Sequence, residues 1–179
     1  DSVVTAWTHD IFDNSHRLFA GRAGTIGTRP GNFAVQNADL VLVLGSRLNI
    51  RQVSYNWASF AKNAEVIWLD VDGAELDKPF PNAEIKICSD LKSFLPKLAK
   101  ASSTQPQIQK SHHMWIEWIQ DTKEKFEVKR SDYREGASGI NPYHFIMSLF
   151  EKLNSEHIVV TGNATACIIP FQVGHLTAG

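Results

Sequence analysis

The sequence predicts an α/β fold built on a parallel sheet with helices on both faces. Three observations carry this prediction. Leu40–Leu44 and Val66–Leu69 are unalternated apolar runs, the pattern of strands covered on both sides of a parallel sheet. Between them, Gln52–Phe60 places Val53, Tyr55, Trp57 and Phe60 at helical spacing, which suits the crossover that parallel strands require. Each run then ends in residues able to grip a polar ligand: Gly45-Ser46-Arg47 with Arg51 after the first, Asp70-Val71-Asp72-Gly73 after the second. Ligands of open parallel sheets gather at the carboxyl ends of the strands. Gly45 admits a close backbone approach, Arg47 and Arg51 are suited to phosphate oxygens, and Asp70 or Asp72 to ribose hydroxyls. The competing expectation for the two aspartates is that they cap the turn entering Gly73-Ala74-Glu75-Leu76.

Composition narrows the class. The chain has 179 residues, 43% hydrophobic and 21% charged, with a net charge of -1. That is ordinary for a soluble globular protein and gives no general attraction to polyanions. No basic block points to nucleic acid, no apolar run spans a bilayer, and the opening Asp1-Ser2-Val3-Val4 has no signal-peptide character. Cys88 and Cys167, the two cysteines, are expected to be reduced and buried, as in a cytoplasmic protein. The histidines show no metal-ligand spacing; adjacent His112 and His113 would point about 100° apart on a helix.

In chain order, Val3–Ala6 is an opening strand. Asp10–Ala20 reads as loop with a helical turn, and Gly21-Arg22-Ala23-Gly24-Thr25-Ile26-Gly27 as a glycine loop. That loop either turns its amides toward an anion or is a turn-rich connection. Asn32–Ala38 is a short helix. Gly73–Asp77 is one helical turn ended by Lys78-Pro79, and Glu84–Ile87 alternates as a strand with one wet face. Asp90–Ala101 carries the stripe Leu91, Phe94, Leu95, Leu98 of a helix. Pro96 conflicts with a helix interior unless the regular turns begin at Ser93. Ser102–Gln107 is a linker. Gln109–Val128 is a second long helix, with Trp115, Ile119, Thr122 and Phe126 on one face. Lys129–Gly139 is a hinge. Asn141-Pro142 starts a third helix buried through Phe145, Leu149 and Leu153, followed by a strand at Ile158–Thr161 and a turn at Gly162–Thr165.

Many of these residues together resemble one family. His16, the Gly21–Gly27 loop, Ala34, Ala38-Asp39-Leu40, Gly45-Ser46-Arg47, Arg51, Asp70-Val71-Asp72, Glu75 and Lys78 are similar, in order and spacing, to the Rossmann-like central domain of acetolactate-synthase-type thiamine diphosphate enzymes. Ile140-Asn141-Pro142 and Val159-Val160-Thr161 resemble the opening of that family's C-terminal domain. The resemblance implies a lyase or carboligase acting on a 2-oxo acid such as pyruvate, with thiamine diphosphate and Mg2+, as a homodimer or homotetramer. It places a central nucleotide-binding-like domain at 1–105, a linker helix at 106–139 and the start of the third domain at 140–179. The family's activating glutamate lies in its first domain and its metal-binding Gly-Asp-Gly segment in the third. No Gly-Asp-Gly occurs in this sequence, so the chain is expected to be an inactive piece of a longer enzyme.

In acetolactate synthases the middle domain also binds FAD. Carried over, the contacts for FAD or ADP fall on Gly24, Thr25, Gly45, Arg47, Arg51, Asp70 and Val71. Two positions depart: Asn49-Ile50 replaces an acidic pair before the second arginine, and Thr25-Ile26 replaces methionine-histidine in the glycine loop. Two other functions remain open: a free-standing FAD- or adenine-nucleotide-binding module, and a structural spacer with a vestigial site.

Overall fold

A computed structural model describes residues 3–5, 11–104, 112–128 and 139–175. The chain divides into two compact units, Asp1–Asn32 with Ile116–Gly179, and Phe33–Trp115.

In the first unit β1 (Val3–Thr5) runs parallel to β2 (Phe19–Arg22). The opening strand is as expected. β2 was expected to be loop, yet all four of its residues are buried. A glycine and an arginine among four residues hide the apolar pattern. Gly21 and Gly31 explain the local packing. A Cβ on Gly31 would lie 2.4 Å from the Arg22 carbonyl oxygen, so only glycine lets α1 (Arg29–Asn37) start directly against β2. The helix opens three residues before the expected Asn32, with Pro30 in its first turn, where the missing N–H costs nothing.

The Arg22 side chain is buried beside the Phe19 and Phe171 rings, its guanidinium carbon 5.5 and 5.6 Å from their centroids. Its Nη2 donates to Asn14 Oδ1 at 3.1 Å, and Asn14 Nδ2 donates to the Gly174 carbonyl at 2.9 Å. Burial pulls the Arg22 pKa down to about 10.

α5 (His113–Lys125) buries Ile119 and Thr122, two of the four residues of its expected face. Its expected beginning at Gln109, like the Lys129–Gly139 hinge up to residue 138, lies outside the described residues. α6 (Pro142–Phe150) starts as expected: Asn141 Oδ1 accepts from the Tyr143 amide at 2.9 Å. Its buried residue is Phe150, however, while Phe145 and Leu149 are exposed. The partner of α6 is α7 (Thr165–Val173), which follows the expected turn and takes in its last residue, Thr165; Tyr143 donates to Gln172 across the pair at 2.8 Å. Ile158–Thr161 is not a strand, and Ile158 and Val160 are almost fully exposed. A β-branched run alone does not make a strand; it needs a neighbour to complete its hydrogen bonds.

In the second unit β3 (Leu40–Leu44), β4 (Glu65–Asp70) and β5 (Ile85–Cys88) form a parallel sheet in that order. Leu44 pairs with Leu69 and Asp70 with Cys88. The fold is therefore α/β with a parallel sheet, as expected. One face carries the core: Val43, Val66 and Trp68 pack with Leu48, Val53, Ala61 and Leu76. The other face is open along β3, where Leu40, Leu42 and Leu44 are 51%, 40% and 37% exposed. Burial on both faces thus fails for β3, which is an edge strand, and is approached by β4 at the centre, buried from Trp68 to Asp70.

The crossover is not one helix. It consists of α2 (Ile50–Val53), a reversal at Ser54 with φ +64°, and a 3-10 turn at Trp57–Ser59. Tyr55 and Trp57, counted as a helical stripe, are exposed. Ser54, Tyr55, Asn56 and Trp57 are all weak helix formers, and no Leu or Ala run offsets them. α3 (Gly73–Leu76) is the expected single turn. α4 (Leu91–Ser103) begins at Leu91 with Asp90 as its cap, so Pro96 does lie inside it. The bond lost is the one to the Lys92 carbonyl, on a helix with no buried residue. The expected linker at Ser102 is still helix to Ser103, and its remainder from Gln105 is outside the described residues.

Candidate nucleotide site at the strand ends

Five of the seven expected site residues lie in the second unit, at the carboxyl ends of β3 and β4. Gly45 follows β3 with φ +60°, and its amide donates to the Leu69 carbonyl at 2.9 Å. The space its missing Cβ leaves is taken by Leu91, whose Cδ1 would be 2.8 Å from a Cβ there. The glycine is thus explained by backbone conformation and a side chain of the same unit.

The following loop is pinned from three sides. Trp68 Nε1 donates to the Ser46 carbonyl at 2.9 Å, Gln52 Nε2 to Ser46 Oγ at 2.7 Å, and Lys78 Nζ to the Arg47 carbonyl at 3.2 Å. Asn49 caps α2 in a reciprocal arrangement: its Oδ1 accepts from the Arg51 amide at 2.9 Å, and its own amide donates to Gln52 Oε1 at 3.2 Å. Asn49, noted in the sequence for lacking an acidic side chain, is therefore a helix cap. Arg51 is exposed on this short helix.

Arg47 extends from the loop with its side chain 69% exposed. Its Nε and Nη2 lie 2.9 and 2.8 Å from Glu75 Oε1. The other carboxylate oxygen of Glu75 pairs with Lys78 one turn along. The hydrogen bond and charge of Glu75, with smaller contributions from Asp72 and Asp70, raise the Arg47 pKa above its usual value. Lys78 and Arg47 together hold the Glu75 carboxyl below its usual range. Glu75 and Lys78 had no site role in the sequence; their three-residue spacing directly after a capped turn was the available signal.

Asp70 is buried, and its Oδ1 accepts from the Asp72 amide at 2.9 Å. Asp72 Oδ1 accepts from the Ala74 amide at 2.9 Å and caps α3, the competing expectation stated for it. Val71 is exposed, and its carbonyl accepts from Cys88 Sγ at 3.6 Å. Cys88 is itself exposed and Cys167 half-buried, contrary to the expected burial; both are free. The position at the end of β5, opposite Asp70, places Cys88 on the rim of the sheet.

Gly24 and Thr25 lie in the first unit, on the loop after β2. The Gly24 amide donates to Asn32 Oδ1 at 2.8 Å, and its carbonyl accepts from Asn32 Nδ2 at 3.0 Å. Asn32 thus closes the glycine loop from α1, and Thr25 is exposed at its tip. Contrary to expectation, the loop does follow a strand directly.

For FAD or ADP, the exposed Arg47 with Lys78 beside it has the donor chemistry of a diphosphate site, and Asp70 stands where strand-end carboxylates meet ribose. Among the described residues no cluster of three or more His, Cys, Asp or Glu could hold a metal ion.

Residues 2–98 match the family model described as thiamine pyrophosphate enzyme, central domain. Over 82% of its length the chain is 35% identical to the acetolactate synthase large subunit of Lactococcus lactis. It is 33% identical over 80% of its length to a probable acetolactate synthase large subunit of Methanocaldococcus jannaschii, and 33% over 84% to a probable chloroplastic acetolactate synthase of Oryza sativa. It spans about a quarter of those relatives, 24%, 23% and 23% of their lengths. With its parallel strands and strand-end loops matched by that model, the chain belongs to the thiamine pyrophosphate enzymes, through their central domain.

Proposed function

We propose that the chain is the middle part of a thiamine diphosphate-dependent lyase or carboligase acting on a 2-oxo acid such as pyruvate. What carries this reading is the alignment with acetolactate synthases across 80% or more of the chain, which runs well beyond the central-domain match at residue 98. The proposal includes the division into a central domain (1–105), a linker helix (106–139) and the opening of a third domain (140–179). It also includes Mg2+, a homodimeric or homotetrameric assembly, and a cytoplasmic location, which the free thiols suit. Bound thiamine diphosphate supplies the electron sink for decarboxylating the 2-oxo acid. No residue of this chain is assigned to that chemistry.

Within the central domain we assign Gly24, Thr25, Gly45, Arg47, Arg51, Asp70 and Val71 to an FAD or ADP site. The experiment is calorimetry with ADP and FAD on wild type, Arg47→Ala and Arg51→Ala. Binding that depends on Arg47 supports the site. Two observations favour a second reading, a spacer with a vestigial site: Leu91 fills the space over Gly45, and Glu75 holds Arg47. No binding at millimolar ligand would select it.

A further inference from the structure

Resting on the nucleotide-site reading, the ion pairs of Glu75 with Arg47 and Lys78 bear on how that site takes an anion. Arg47 carries its guanidinium largely in solvent, and among the described residues Glu75 is the carboxylate in direct contact with it, at 2.8 Å. The Glu75 side chain is only 12% exposed and that of Arg47 69%, so Glu75 is the more buried member of the pair and the arginine the one that faces solvent. The second carboxylate oxygen of Glu75 is held by Lys78, whose Nζ also donates to the Arg47 carbonyl. Glu75 thus bridges two cations in the way a phosphate oxygen pair would. The remaining acidic groups near Arg47 are turned to their own backbone: Asp70 to the Asp72 amide and Asp72 to the Ala74 amide.

We propose that Glu75 is a built-in counter-anion that an entering phosphate group must displace from Arg47, and that Lys78 is the second cation of the site. An anion then competes with an intramolecular carboxylate, and affinity is set by the difference between two ion pairs. Removing the charge of Glu75 while keeping its shape leaves Arg47 and Lys78 uncompensated and available. Because the Arg47 side of the pair lies largely in solvent, the gain is modest, roughly two- to fivefold in affinity.

The test is calorimetric titration of the 179-residue chain with ADP and with inorganic pyrophosphate. The proteins are wild type, Arg47→Ala, Glu75→Gln, Lys78→Ala and Arg47→Ala/Glu75→Gln, each checked by circular dichroism and thermal melting. Glu75→Asp serves as the shorter variant that keeps the charge. The expected result is tighter binding by Glu75→Gln, weaker binding by Lys78→Ala, and loss of the gain in the double variant. Arg47-dependent binding by wild type that weakens or stays level in Glu75→Gln would overturn the counter-anion role while leaving the site in place, since Glu75 would then be positioning Arg47. Absence of binding by wild type and Glu75→Gln alike would overturn both.

Discussion

The Arg47 guanidinium meets a carboxylate of its own chain, Glu75, ahead of any ligand, and two expected outcomes follow at this residue. Arg47→Ala should weaken ADP binding by about three- to tenfold, within the range of an exposed charge-assisted hydrogen bond. Arg51→Ala should weaken it less, because Arg51 lies on a short helix whose cap residue is Asn49, where an acidic side chain would be needed to orient it. Isothermal titration of both variants measures the difference. The second outcome concerns pH. The Glu75 carboxyl is depressed below its ordinary value of 4.5 by Lys78 and Arg47. Its native form therefore binds protons more weakly than the unfolded chain, and the pair's stabilisation is present above 4.5 and lost as pH falls through the depressed native value. Urea unfolding of wild type and Glu75→Gln should differ slightly at pH 7 and converge in acid; an unchanged difference in acid would assign the effect to packing.

At the scale of elements, Gly45 and Arg22 show where sequence patterns run out. A glycine after an apolar strand was legible as a special position, but what it faces was not. Its neighbour Leu91 comes from a helix 46 residues later, and no local pattern links them. Gly45→Ala should destabilise by about 1–2 kcal/mol for the left-handed backbone alone, plus the contact with Leu91 Cδ1. Adding Leu91→Ala relieves the contact and leaves the backbone cost, and thermal melts of the single and double variants separate the two. β2 was hidden for a different reason. Its Arg22 reads as a surface residue, yet its stem and guanidinium pack between Phe19 and Phe171 and reach Asn14. Arg22→Ala should cost about 2–4 kcal/mol, from lost volume and the unpaired Asn14 carbonyl, and Arg22→Met less, because the volume is kept. Denaturant unfolding checks the order.

At the scale of the whole molecule, the parallel pairing of β3 with β4 was readable because two unalternated apolar runs have few other uses. The caps at Asn141, Asp90 and Asp72 were readable because capping is local chemistry. The crossover, the strand at Ile158–Thr161 and the buried face of α6 were not. Each depends on a neighbour that propensity does not name: a reversal at Ser54, a pairing strand, and α7. Of the candidate site, the strand-end position of Gly45, Arg47 and Asp70 was legible; the Glu75–Lys78 partnership that now occupies Arg47 was visible only as a three-residue spacing. For the isolated 179-residue chain, no carbon dioxide release from pyruvate is expected even with thiamine diphosphate and Mg2+ added.

The most direct measurement is carbon dioxide release from pyruvate by the longer enzyme proposed to contain this chain, assayed with and without thiamine diphosphate and Mg2+. Release that requires both, with formation of the carboligation product, is the predicted result. A folded, cofactor-loaded protein that leaves pyruvate and other 2-oxo acids intact would contradict the proposed activity.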